Sequence, residues 1–302
     1  MSFAARFLAL PDLFPARPAG APCGEETIDL VLPGGPYRIQ GLSSRQSSDL
    51  SERYGELCRP SVARVEIDVF EAGEGDFVDI DTRGWRYELD LDHAADRVRV
   101  AGLRFMAWIG LEPRLRGALW TSVADGVRWT ELFENYFRIL VAYRLLESGG
   151  VLLHSAGVAD DDGAWVFFGH SGAGKTTIAR LSQESGRRVL SDDINALHRD
   201  GDTVLVSKMP FAGDLGRAPG GFGAHRLRGL YRLEKGAGNR VSPLPAGRAV
   251  ASLLSCAPFV NQDPHRLEAL TDRLEELVAD VPIGILAFDL SGRFWSALRE
   301  TA

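Results

Sequence analysis

The chain has 302 residues, 45% of them apolar and 25% charged, with a net charge of −7; that suits about two domains of ~150 residues and a core that needs no covalent staples. The acidic balance argues against a protein that coats nucleic acid or an anionic membrane, because those partners select a basic face. Three widely spaced cysteines, Cys23, Cys58 and Cys256, make neither a disulfide framework nor a zinc site and point to a reducing cytoplasm, and no run reaches the ~18 apolar residues of a spanning helix.

Residues 1–11 carry one Arg and a short apolar run broken by Pro11. That is too little for a signal peptide, so the segment reads as frayed or docked. Strands are expected at 27–32 and at Tyr37–Leu42, on either side of Gly34-Gly35. Residues 62–70 alternate apolar and polar side chains as a half-buried strand does. Residues 76–80, 86–91 and 97–100 repeat that pattern between Gly- and Asp-rich turns. Residues 1–125 therefore read as an N-terminal antiparallel β region without any cluster of catalytic spacing.

Across 126–150 the period changes. Trp129, Leu132, Phe133, Tyr136, Phe137, Leu140 and Leu146 follow the stripe of an amphipathic helix, and Ser148-Gly149-Gly150 supplies a stop. The helix is expected to connect the β region to a domain over 151–302 and to brace it. Two apolar strands, 151–158 and 164–168, then flank Asp160-Asp161-Asp162-Gly163, a turn signal. A hairpin centred between Asp161 and Asp162 would set His154 opposite Gly169. A glycine loop follows, then a helix over 175–185, Gly186, and a strand Arg188–Ser191 that ends at Asp192-Asp193.

The loop Gly169-His170-Ser171-Gly172-Ala173-Gly174-Lys175-Thr176 matches G-x-x-x-x-G-K-[ST] at every required position, and Thr177 follows. In such a loop backbone N–H groups turn inward around phosphate oxygens, Lys175 adds charge at the β- and γ-phosphates, and the Thr176 hydroxyl ligates Mg²⁺. The N-terminal end of the following helix adds positive potential. The preceding apolar strand and the following Ile178, Ala179 and Leu181 supply the strand–loop–helix context. The Asn-Lys-x-Asp signature of GTPases and the Leu-Ser-Gly-Gly-Gln signature of transporter ATPases are both absent.

Strand, helix and strand joined by one crossover run parallel in one sheet. Their ends share an edge, so Asp192 and Asp193 should face the loop. One carboxylate would hold Mg²⁺ and the other would accept the proton of an incoming hydroxyl. The competing reading makes Ser191-Asp192-Asp193 the N-cap of a helix through Ile194-Asn195-Ala196-Leu197. His154 is either a core histidine or an imidazole at the mouth of the site.

Leu153-His154-Ser155-Ala156-Gly157-Val158, the loop with its preceding Phe168, and Leu190-Ser191-Asp192-Asp193 together resemble the catalytic core of HPr kinase/phosphorylase and its relatives. The resemblance implies the mixed-sheet fold shared with PEP carboxykinase and an ATP- and Mg²⁺-dependent serine kinase, in a family that includes reverse phosphorylase activity. It implies phosphate and metal binding by Lys175 and Thr176, metal and base roles divided between Asp192 and Asp193, and support from His154. It implies a protein or peptide acceptor bearing a serine, and self-association. The resemblance covers residues 150–255. The N-terminal region and the segment after Asp193 depart from the classical enzyme, as do relatives that do not act on HPr. In that segment Gly220, Gly221 and Gly223 suggest a flexible loop. Arg226 and Arg228 either meet phosphate or an acidic peptide, or lie on a solvated strand edge.

Toward the C-terminus a helix is expected at Ala246–Leu254, a second at 264–278 and a closing strand at 283–290, with Phe294 and Trp295 docked on the core. The rival functions are phosphorylation of a small metabolite at the same site, and a non-catalytic, nucleotide-sensing assembly factor. The acidic pair and His154 speak against the second, since a sensor needs no base.

Overall fold

The computed structural model describes residues 20–73, 77, 89–216 and 221–299. The expected N-terminal segment, and most of the strands expected at 76–80 and 86–91, lie outside the described residues. The chain divides after Leu140 into two compact units. Both contain a mixed sheet, so the protein is mixed α/β.

In the first unit, β1 (Glu26–Leu30) and β2 (Tyr37–Leu42) form an antiparallel pair, followed by α1 (Ser44–Tyr54) and β3 (Val65–Glu71). Then come β4 (Asp90–His93), β5 (Arg97–Gly102), β6 (Phe105–Gly110) and β7 (Arg116–Thr121). The described strands lie in the order β1-β2-β3-β7-β6-β5-β4. The sheet is not the antiparallel region expected from sequence, because β2–β3 and β3–β7 are parallel. For β2–β3 the reason is α1, which provides the crossover that a parallel pair requires; β3 and β7 are joined by the chain that runs through β4, β5 and β6. The residues of α1 are mostly polar and bury only Gln46, Leu50 and Tyr54, so no wide apolar stripe marks it. A capping box does: Ser43 Oγ accepts from the Gln46 N–H while the Gln46 side chain accepts from the Ser43 N–H. Val62, read as strand, is 89% exposed and precedes β3.

Helix α2 (Gly126–Glu147) buries every residue of the expected stripe, but it is not the amphipathic helix expected, because Ile139, Val141, Ala142, Tyr143 and Leu145, off that stripe, are buried as well. Within the first unit its Phe133 and Phe137 meet Tyr54, and Phe137 meets Tyr37 at 5.2 Å in an edge-on pair. Gly149 at φ 84° follows the helix, a backbone region that suits glycine.

The second unit opens with β8 (Val151–Asp160) and β9 (Gly163–Phe168), whose pairs run from Asp160↔Gly163 to Ser155↔Phe168, the register set by the Asp161-Asp162 turn. After α3 (Lys175–Glu184) come β10 (Arg188–Ser191), β11 (Ile194–Asp200), β12 (Thr203–Lys208), β13 (Ala224–Lys235) and β14 (Arg240–Pro243). The chain continues through α4 (Ala246–Leu254), α5 (Leu267–Asp280), β15 (Ile283–Phe288) and α6 (Phe294–Arg299).

Strand β8 is long enough to serve several partners. It pairs with β9 along one stretch, and with β10 and then β11 along the other edge. Strand β13 likewise pairs with β12, β9 and β15. Following β8, β11, β12, β13 and β9 leads back to β8, so these five strands close a ring. The β9–β13 and β13–β15 pairs are parallel and the rest antiparallel.

Helix α3 is held by Ile178 and Ala179, buried among Ala156, Val158, Phe167, Phe294 and Trp295. Phe294 and Trp295 dock as expected. Burying one such large apolar side chain contributes roughly 1.5–3 kcal/mol, so the loop that precedes α3 rests on a rigid base.

Candidate functional site

Strands β9 and β10 are both antiparallel to β8, hence parallel to each other on either side of it. The glycine loop leaves the end of β9 and the acidic pair follows the end of β10, so the two meet at one end of the sheet. Asp192-Asp193 does not cap a helix. The chain continues along the same edge of β8 as strand β11, with Ser191↔Gly157 on one side of the pair and Ile194↔His154 on the other. The Ser155 N–H donates to the Asp193 carbonyl at 2.8 Å. Ser191 Oγ accepts from the N–H groups of Asp193 and Ile194, both at 3.1 Å, an ST-turn that fixes the bend. Asn195 Nδ2 donates to the Ser155 carbonyl at 2.7 Å and to Ser155 Oγ at 3.1 Å.

The loop itself is governed by its glycines. Gly172 and Gly174 have φ of 78° and 106°, a region side-chain-bearing residues rarely adopt. A Cβ on Gly174 would stand 2.8 Å from the Phe288 ring. No side chain caps α3 at its N-terminus, which leaves that end of the helix open to an anion. Lys175 is 7% exposed and its Nζ donates to the carbonyls of Gly169 and His170 at 3.1 and 3.3 Å. Its ammonium is thereby folded over the loop, since a lysine is rarely buried without partners. His170 is exposed and its ring contacts the Ser171 carbonyl.

These elements enclose a cavity of about 560 Å³ lined by His154, Ser171, Gly172, Gly174, Lys175, Thr176, Thr177, Asp192, Asp193, Ala212, Gly213 and Asp214. His154 Nε2 lies 3.4 Å from Asp193 Oδ1, with side-chain exposures of 46% and 24%. Asp192 is only 4% exposed. Its carboxylate accepts from the Leu215 N–H at 3.3 Å. Gly169 and Ala173 complete the loop, and Ala173 is packed in the core below it.

Three of the lining residues, Ala212, Gly213 and Asp214, were not singled out from sequence. Thr176 Oγ1 donates to Asp214 Oδ2 at 3.4 Å. Gly213 lies so close to the acidic pair that a Cβ there would be 2.2 Å from Asp192 Oδ1. Nothing local distinguishes Phe211-Ala212-Gly213-Asp214 from an ordinary turn, so only the fold reveals the approach.

Arg226 and Arg228 do not reach this cavity. They belong to β13, which pairs in parallel with β9 in the register Leu227↔Ala164 to Arg232↔Phe168. That places both arginines beside Gly163, at the opposite end of β9 from the loop. Arg226 pairs with Leu205 of β12 and the residues that follow pair with β9, so the two arginines lie on an interior strand and not on a sheet edge.

The oxygen-rich donor set of Thr176 and Asp192 suits Mg²⁺ and not a softer metal. Among the described residues no group of three or more His, Cys, Asp or Glu could hold a metal ion. Magnesium needs no such group, because it binds through one or two carboxylates together with substrate phosphates and water. No helix among the described residues is long and apolar enough to cross a membrane. No family model matches the chain, and no curated protein matches it.

Proposed function

We propose that this chain is an ATP- and Mg²⁺-dependent serine kinase of the HPr kinase/phosphorylase type, with a protein or peptide hydroxyl as acceptor. What supports the reading most is one juxtaposition. A glycine loop carrying a buried lysine and a threonine hydroxyl shares one cavity with a His154–Asp193 pair and with Asp192. The loop alone speaks only for nucleotide; the loop beside a carboxylate partnered by imidazole speaks for phosphoryl transfer.

The roles follow from the surroundings. Loop N–H groups, the α3 N-terminus and Lys175 hold the phosphates and balance the charge that develops on them. Thr176 and Asp192 would hold Mg²⁺, which would supply positive charge to the phosphates. Asp193, the more exposed carboxylate and the one beside His154, accepts the serine proton, and His154 orients it. A bond forms between serine Oγ and the γ-phosphorus, the bridging bond to the β-phosphate breaks, and ADP leaves.

The test is incubation with γ-labelled ATP and Mg²⁺ alongside serine-containing peptides or, separately, a pool of small metabolites. Label on serine supports the proposal. Label confined to the metabolite pool moves the acceptor, and no Lys175-dependent ATP binding removes the reading altogether.

A further inference from the structure

A hydroxyl that offers its lone pairs to a cation must send its proton elsewhere. For Thr176 that acceptor is Asp214 Oδ2, at 3.4 Å. Asp214 is exposed and sits in the stretch after β12, far in sequence from the loop. The next residue, Leu215, donates its N–H to Asp192. One residue earlier, Gly213 leaves no room for a side chain between this stretch and Asp192. The turn is closed on itself by the Gly216 N–H donating to the Gly213 carbonyl at 3.0 Å. Three consecutive residues therefore touch both oxygen groups read as the metal side of the site, and those two groups come from different elements, α3 and the end of β10.

We infer that residues 213–215 are a positioning strap and that Asp214 is a positioning residue for Thr176. The inference rests on the nucleotide reading of the loop. Asp214 takes the Thr176 proton and aims the hydroxyl lone pairs into the cavity, while the Leu215 N–H holds Asp192 in place. Partners of this outer kind are typically worth ~10–100-fold in metal affinity. The strap thus acts on the metal-dependent part of nucleotide binding and not on the contacts that Lys175 and the loop amides make with phosphate.

The experiment is a titration of ATP into the full chain, with and without Mg²⁺, for wild type, Asp214→Ala, Asp214→Asn, Thr176→Ala and Lys175→Ala. Asp214→Ala is expected to weaken Mg²⁺-ATP binding by about tenfold and to raise the Mg²⁺ concentration needed for half-saturation, with metal-free ATP binding unchanged. Asp214→Asn, which keeps an acceptor oxygen, restores part of the loss and serves where the alanine variant does not fold. The double variant Thr176→Ala/Asp214→Ala should lose no more than Thr176→Ala alone. Wild-type Mg²⁺ dependence in both Asp214 variants overturns the strap, as does an equal loss with and without Mg²⁺. A wild-type chain that binds no ATP fails at the earlier step, the nucleotide reading, and is told apart from a failure of the strap by that control.

Discussion

The Ser155 N–H donates to the Asp193 carbonyl at 2.8 Å across the edge of β8. That bond ties the acidic pair to the residue after His154 and keeps β10 and β11 on one line, so His154 and Asp193 meet without a loop to bring them together. His154 sits on β8 and Asp193 in the two-residue bend between β10 and β11, and a group held by the scaffold keeps its geometry better than one on a long loop.

Ser191 is the residue that makes the bend there. It is 5% exposed, and its hydroxyl accepts from two backbone N–H groups. Ser191→Ala leaves both donors without that acceptor and should cost about 1–3 kcal/mol, read as a lower denaturant midpoint. Because the bend carries Asp192 and Asp193 and not the loop, kcat and Mg²⁺-ATP affinity should fall with metal-free ATP affinity unchanged. Loss of metal-free ATP affinity would mean that the bend supports the loop as well.

Two glycines of the loop should respond differently to alanine. Gly174→Ala meets both a φ of 106° and a ring carbon of Phe288 at 2.8 Å. Gly172→Ala meets only a φ of 78°, with open space around the new Cβ. The backbone cost is about 1–3 kcal/mol in each, and Gly174→Ala adds a core displacement. Thermal melts should rank Gly174→Ala below Gly172→Ala, and equal melting temperatures would contradict the packing described.

The pH dependence of stability should carry a histidine component. His198 is pushed below its ordinary value chiefly by burial. His225 is also lowered, chiefly by burial and then by the nearby Arg188. The unfolded chain therefore binds these protons more readily than the folded one. Stability is unaffected above the ordinary histidine value of ~6.5 and falls as pH drops from there through the lowered folded values. His198→Gln, which can still reach Ser207 (2.8 Å from the ring in the native chain), should flatten the drop in melting temperature between pH 7.5 and 5.5. A drop as steep as that of wild type would assign the effect to other groups.

The hairpin, loop, α3 and β10 were legible because each rests on a local rule: an Asp-rich turn fixes register, glycines mark positive φ, and helical spacing marks Ile178 and Ala179. The edge shared by β9 and β10 followed from the same local order. What was not legible depends on distant partners. Strand β13 carries no clean alternation because Gly229, Leu230 and Tyr231 at its centre are buried on successive residues, on both faces of the sheet. Helix α1 is too polar to announce itself except by its capping box, and the parallel β2–β3 pairing follows from it. Asp214 is set beside Thr176 only by the path of the chain after β12. Arg226 and Arg228 looked available because a run of sequence does not say which end of a strand faces the cavity.

The central claim is phosphoryl transfer with Asp193 as base, and its most direct measurement is the rate of γ-labelled phosphoryl transfer to serine by wild type and Asp193→Asn at saturating Mg²⁺-ATP. The account predicts bound ATP in both and a rate lowered by ~10²–10⁴-fold in the variant, the range of a positioned general base. Equal rates in the two, with ATP bound in both, would contradict it.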